Sequence, residues 1–283
     1  MLWLLLSALF YAVNNLLWKF FVNDEQPLQL ITRRAVFTSL IALVALMFGG
    51  DNLVATVNNP NIYIVLAGSI LGAIGLIFMV SFLKQGSLGL LGYYSLLGVS
   101  INGFYTFYVR QIPVSATVII GASILVVGFL LYLLHEKRNI KAEPVRLTQH
   151  LLLACMTVFF TASTIVKWES FDAFSALELM FVQELVVLVV SFVVGWLFFR
   201  KVKSQPQPRL SFLKYPIMAV VILLALYAGL LGLSETNAFI SSLAGIMVPV
   251  LTIVFGWIFL KERISLTQAF AFVLIIGGEL LLF

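Results

Sequence analysis

The chain has 283 residues, of which 62% are hydrophobic and only 10% charged, with a net charge of +5. Soluble domains carry about 25% charged residues, so this chain cannot cover a core with polar surface and its solvent is lipid. That excludes a basic nucleic-acid-binding face on a water-soluble domain. The single cysteine, Cys155, lies in an apolar stretch and excludes a disulfide framework or a cysteine metal cluster.

A spanning helix needs about 20 mostly apolar residues. That ruler predicts ten spans, at 1–22, 29–48, 61–83, 87–109, 113–134, 148–168, 173–199, 212–234, 237–260 and 265–283. The first has no basic leader or small-residue cleavage site, so it reads as a retained helix. Breaks carry turn chemistry or charge, as at Asn23–Pro27, Gly49–Asn52, Lys84–Gly86 and Arg110–Pro113. The longest loops run from His135 to Leu147 and from Arg200 to Ser211, and neither is long enough to form a domain. The expected fold class is therefore all-α integral membrane.

Fifteen of the seventeen Lys and Arg residues fall in or near odd-numbered loops, and only Arg110 and Lys167 near even-numbered ones. Basic loops stay cytoplasmic, so the count predicts both termini outside.

The chain repeats itself. A shift of 150 residues lays Ser7, Tyr11, Asn14 and Trp18 on Thr157, Thr161, Thr164 and Trp168. In each helix these sit at i, i+4, i+7 and i+11, one continuous stripe. The same shift lays Arg33-Arg34 on Gln183-Glu184, and a slightly larger one lays Gly68, Gly72 and Gly75 on Ala225, Gly229 and Gly232. Two five-helix halves are predicted, 1–140 and 141–283. An odd number of spans per half inserts the second upside down, the inverted repeat of secondary transporters, with a site at midplane.

Charged and polar groups deep in the bilayer are costly and usually face a cavity or a partner. Glu184, about ten residues into the seventh span, is the sharpest case, with Gln183 beside it. It could titrate, or it could be fixed by Arg34, the partner the repeat suggests; with Lys19 these form the candidate coupling or ion-pair set. If it titrates, Glu184→Gln should abolish proton-coupled uptake and leave folded yield intact. Candidate solute-binding residues are Tyr11, Asn14, Asn15, Trp18, Tyr93, Tyr94, Asn102, Thr161, Thr164, Trp168, Gln183, Glu184 and Ser241. Pro249, mid-way along the ninth span, removes one backbone hydrogen bond. The glycine ladders also read as close helix packing, Glu279 as interfacial, and Arg33-Arg34 as snorkelling to headgroups.

Ile246-Met247-Val248-Pro249-Val250, then Gly256, Leu260-Lys261-Glu262-Arg263-Ile264-Ser265, Gln268 and Leu274-Ile275-Ile276-Gly277-Gly278 resemble the drug/metabolite transporter superfamily, in particular its ten-helix EamA-type branch. Trp18-Lys19, Arg33-Arg34 and Lys84 fit its first repeat. Lys261 departs from the Gly that usually precedes the Glu, and Arg110-Gln111-Ile112-Pro113 lacks the Glu altogether. The resemblance implies secondary transport of small polar metabolites by alternating access, often export of amino acids or related solutes. It also implies cytoplasmic termini, against the charge count.

No phosphate-binding Gly-x-x-x-x-Gly-Lys-Ser/Thr loop is present, which argues against ATP-driven pumping. His135 and His150 have no carboxylate at ligand spacing, so neither an enzyme nor a cofactor is expected. The expected partners are a small-molecule solute and the lipid bilayer of the inner cell membrane, with no nucleic acid; a monomer and a homodimer are both open. A multidrug or quaternary-amine carrier of the same fold is the alternative, since aromatics with a carboxylate suit a cation, and a lipid scramblase or flippase is another.

Overall fold

In hydrocarbon a backbone N–H or C=O has no water to bond, so a long apolar run satisfies itself by coiling into a helix. The computed structural model describes residues 2–22, 25–85, 88–139, 147–199, 212–260 and 265–282. Every regular element among them is helical. In chain order these are α1 (Leu2–Phe21), α2 (Pro27–Phe48), the short α3 (Leu53–Asn58), α4 (Ile62–Gln85) and α5 (Leu88–Phe104), which runs into a π-helical turn at Tyr105–Val109. Then follow α6 (Ala116–Asn139), α7 (Leu147–Glu169), α8 (Ala176–Phe199), α9 (Lys214–Glu235), α10 (Ala238–Ala244), α11 (Met247–Leu260) and α12 (Leu266–Leu280). The Lys261–Ile264 part of the family-like motif and the predicted loops at 140–146 and 200–211 lie outside the described residues, as does the Tyr93 side chain.

Seven helices, α1, α2, α4, α6, α7, α8 and α9, are long and apolar enough to cross a bilayer. The chain is a multi-pass helical membrane protein. The other three predicted spans are also helical, but α5 has 17 residues, α12 has 15, and the ninth is broken in two.

That break corrects the expectation of one helix over 237–260. Pro249 has no N–H to return to the Gly245 carbonyl, and its ring crowds that carbonyl. The chain accordingly turns at Gly245 and Ile246 and restarts at Met247. Asn237 caps the first piece, its Oδ1 accepting from Ile240 N at 3.0 Å. A second correction is α3, inside a predicted loop: Asn52 Oδ1 accepts from Val54 N at 2.9 Å, which is enough to start a turn. At α12 a reciprocal cap forms, with Ser265 Oγ accepting from Gln268 N at 3.2 Å and Gln268 Oε1 from Ser265 N at 3.0 Å.

Helices pack where small residues let backbones approach. On α4, a Cβ at Gly68 would lie 2.5 Å from Val166, and one at Gly75 would lie 2.8 Å from Phe160, so α7 rests directly on that ladder. On α9, a Cβ at Gly229 would meet Ser7 Oγ at 2.8 Å and one at Gly232 would meet Leu4 at 2.5 Å, so α1 lies there. Ser7 Oγ adds a bond to the Ala225 carbonyl at 2.8 Å. Away from these pairs, α6 and α12 cross at Gly121, Gly128 and Gly278; a Cβ on Gly278 would meet Leu125 N at 2.6 Å.

Candidate functional site

A cavity of about 390 Å³ opens between α1, α2, α4, α5, α7, α8, α9 and the broken α10–α11 pair. None of its lining comes from α6 or α12. Of the sequence-predicted residues, Tyr11, Asn14, Asn15, Asn102, Thr161, Thr164, Gln183, Glu184 and Arg34 line it.

Arg34 and Glu184 form one unit in its wall. Arg34 Nη2 donates to Glu184 Oε2 at 2.9 Å, and both side chains are almost wholly buried, at 1% and 4% exposure. Thr38 Oγ1 donates to the same carboxylate oxygen at 2.6 Å, and Ser39 Oγ to the Glu184 backbone carbonyl at 3.0 Å. The far side of the guanidinium sits 5.4 Å from the Trp18 ring centre, a cation–π contact. Arg34 therefore does not snorkel to headgroups. The pair is 150 residues apart in sequence, the same shift at which the sequence pattern is expected to repeat.

Polar groups elsewhere in the wall are left open. Asn14 Oδ1, Asn102 Oδ1, Gln183 Oε1 and Ser163 Oγ are buried and have no hydrogen-bond partner among the described residues. Buried polar atoms normally find partners, so open ones facing a void mark where a solute or water bonds. Gly72 makes room for one of them: a Cβ there would lie 2.9 Å from the Gln183 amide and from Ser163 Oγ.

Several predicted residues lie elsewhere. Trp18 is fully buried behind Arg34 and does not line the cavity. Trp168 stacks edge-on against Tyr105, with ring centres 6.3 Å apart, next to the Arg110–Glu169 ion pair at 2.9 Å. The Tyr94 hydroxyl meets His150 Nδ1 at 2.8 Å. Lys19 Nζ donates to the Leu83 carbonyl at 3.0 Å, near the end of α4. Ser241 is off the wall, where its neighbour Ser242 stands instead.

The sequence reading missed Lys167. It was counted with a loop, but it lies in the last turn of α7 and lines the cavity. Its only signal was that it falls inside the predicted span 148–168. A second charged cluster also escaped notice. Glu25 forms an ion pair with Lys214 Nζ at 3.0 Å and accepts from Arg33 Nη1 at 2.9 Å and from the Tyr215 hydroxyl at 3.0 Å. It ties the start of α2 to the start of α9. Glu279, expected at the membrane interface, is buried inside the protein at 2% exposure.

Among the described residues no group of three or more His, Cys, Asp or Glu could hold a metal ion. A solved crystal structure, described only as that of a protein, shares the fold with a TM-score of 0.72 at 17% identity, covering 98% of this chain and 96% of that one. No curated protein matches the sequence. The sequence of α7 through α12, residues 148–283, matches the EamA-like transporter family. That match supports membership of the drug/metabolite transporter superfamily.

Proposed function

We propose that the protein is a secondary transporter that moves small polar metabolites across the membrane by alternating access, through ten spans arranged as two inverted five-helix repeats, 1–140 and 141–283. The observation that carries this reading is the cavity itself. Polar side chains from both halves, Asn14 and Asn102 from one and Thr161 and Gln183 from the other, converge on one void inside a chain otherwise fit for lipid. Such groups are costly in hydrocarbon unless they serve a pathway.

The packing supports the inversion. The contact of α4 with α7 and that of α1 with α9 use matching small-residue ladders, and the 150-residue shift exchanges one pair for the other. The shift also exchanges Arg34 and Glu184. Lining by α5, α7 and the broken α10–α11 pair fits a site at the repeat interface, where discontinuous helices are common. The solute site then comprises the cavity residues named above. Proton coupling through Glu184 would require its release from Arg34 and Thr38 during the cycle.

The experiment is efflux from proteoliposomes preloaded with a mixed pool of amino acids, carboxylic acids, nucleosides and choline, read by mass spectrometry. Faster loss of one or a few solutes than from protein-free vesicles, reduced by Asn102→Leu, is expected. Loss at the protein-free rate for every solute removes the carrier reading.

A further inference from the structure

We infer that Lys167 is the anchor for an anionic group on the transported solute, so that the cavity accepts carboxylate-bearing molecules and rejects solutes whose only charge is positive. This rests on the cavity being the solute site.

The charged side chains on the cavity wall are Arg34, Glu184 and Lys167. Glu184 is already engaged by the Arg34 guanidinium at 2.9 Å and the Thr38 hydroxyl at 2.6 Å. Its charge is neutralised inside the protein, and an incoming cation would have to displace Arg34 to reach it. The Lys167 ammonium, by contrast, makes no hydrogen bond or ion pair among the described residues, while Lys167 lines the same void. Two cations against one carboxylate leave the cavity with one uncompensated positive charge. A low-dielectric cleft of net positive charge concentrates anions, and a half-buried ammonium without a counter-ion is costly until one arrives.

Of the aromatic residues that would have favoured a quaternary amine, Tyr11 remains on the wall, with Phe160, but three others do not. Trp18 lies behind Arg34, Trp168 against Tyr105 and Tyr94 against His150. The unpartnered oxygens of Asn14, Asn102 and Gln183 complete the specification: beyond its anionic group, the solute brings N–H or O–H donors. A plain fatty acid does not fit this description, and a small polar carboxylate does.

The test uses the full chain in detergent and four probes: succinate, its uncharged counterpart succinamide, L-alanine and choline. Thermal shift and tryptophan fluorescence read the affinity of each for the wild type, K167M, K167R and K84M, the last being an exposed lysine outside the cavity. At least one of the two carboxylates should bind the wild type and K84M alike, and weaken about tenfold or more in K167M, the worth of one charge-assisted hydrogen bond. K167R should retain most of that affinity. Removing an unpaired ammonium should leave the unliganded K167M no less heat-stable than the wild type, which separates lost binding from lost folding.

Carboxylate affinity unchanged in K167M overturns the inference. So does binding confined to choline or succinamide, or the failure of both carboxylates to bind. Because binding is read without flux, the two proposals fail separately. Lys167-dependent carboxylate binding with no efflux leaves this inference standing and removes the carrier reading. Efflux indifferent to K167M does the reverse.

Discussion

Replacing Glu184 with Gln leaves Arg34 buried at 1% exposure with its counter-charge gone. The Arg34 bond at 2.9 Å keeps a charged donor but loses its charged acceptor, and the Thr38 bond at 2.6 Å becomes neutral. A bond to a charged group contributes about 1.5–3 kcal/mol and a neutral one about 0.5–1.5, so the Thr38 bond alone loses about 1–1.5 kcal/mol. Stranding the guanidinium adds to this, and breaking a buried pair by removing one partner costs about 3–5 kcal/mol in all. At about 2 °C per kcal/mol for a chain of this size, the apparent Tm in detergent should fall by about 6–10 °C. The sequence-based expectation that Glu184→Gln leaves folded yield intact is therefore replaced by a loss of stability. Fluorescence-detected unfolding of Glu184→Gln, Arg34→Gln and the double variant measures it. The double variant should melt well above the sum of the two single losses, because it strands neither charge. A single variant melting within 1–2 °C of wild type, or strict additivity, refutes the account of the pair.

Gly278→Val should sharply reduce monodisperse yield, because its Cβ would lie 2.6 Å from the Leu125 backbone nitrogen and 2.7 Å from the Gly121 carbonyl oxygen, whereas Gly195→Val, with open space around it, should not; size-exclusion chromatography reads both. Glu25→Gln leaves the buried Lys214 ammonium without its carboxylate and should destabilise by about 3–5 kcal/mol, read by thermal unfolding in detergent. Trp168→Phe and Tyr94→Phe, both off the cavity, should leave solute affinity within about twofold, while Asn14→Leu should weaken it about tenfold, measured by the same thermal shift. The basic-loop bias predicts both termini outside the cytoplasm, and a C-terminal green fluorescent protein that lights up would overturn it.

The helices were legible because hydropathy is enough to show where a chain must satisfy its own backbone. Glu184, Asn14 and Asn102 were legible for the related reason that a polar group inside an apolar helix has few innocent explanations. Arg34 was reached only through the 150-residue shift. Lys167 was not, because a lysine in the last turn of a span looks like a residue that reaches out to the headgroups. The stripe from Ser7 to Trp18 misled in another way. Its residues share a face, but eleven residues rise about 16 Å, farther than the cavity extends along α1, so Trp18 ends behind Arg34. The broken ninth helix required Gly245 and Pro249 to be read together. The charged cluster on Glu25 joins residues about 190 apart, and no local pattern announces such a contact.

The salt bridge between Arg34 and Glu184 joins two residues that would trade positions under the proposed internal repeat. In the proposed inverted arrangement, such a contact sits on the pseudo-two-fold itself. When the two faces of the membrane exchange roles, everything off that line changes neighbours, but a bond on it is mapped onto its own reverse. It can thus persist as the fulcrum on which the halves rock, leaving the opening and closing to contacts far from it.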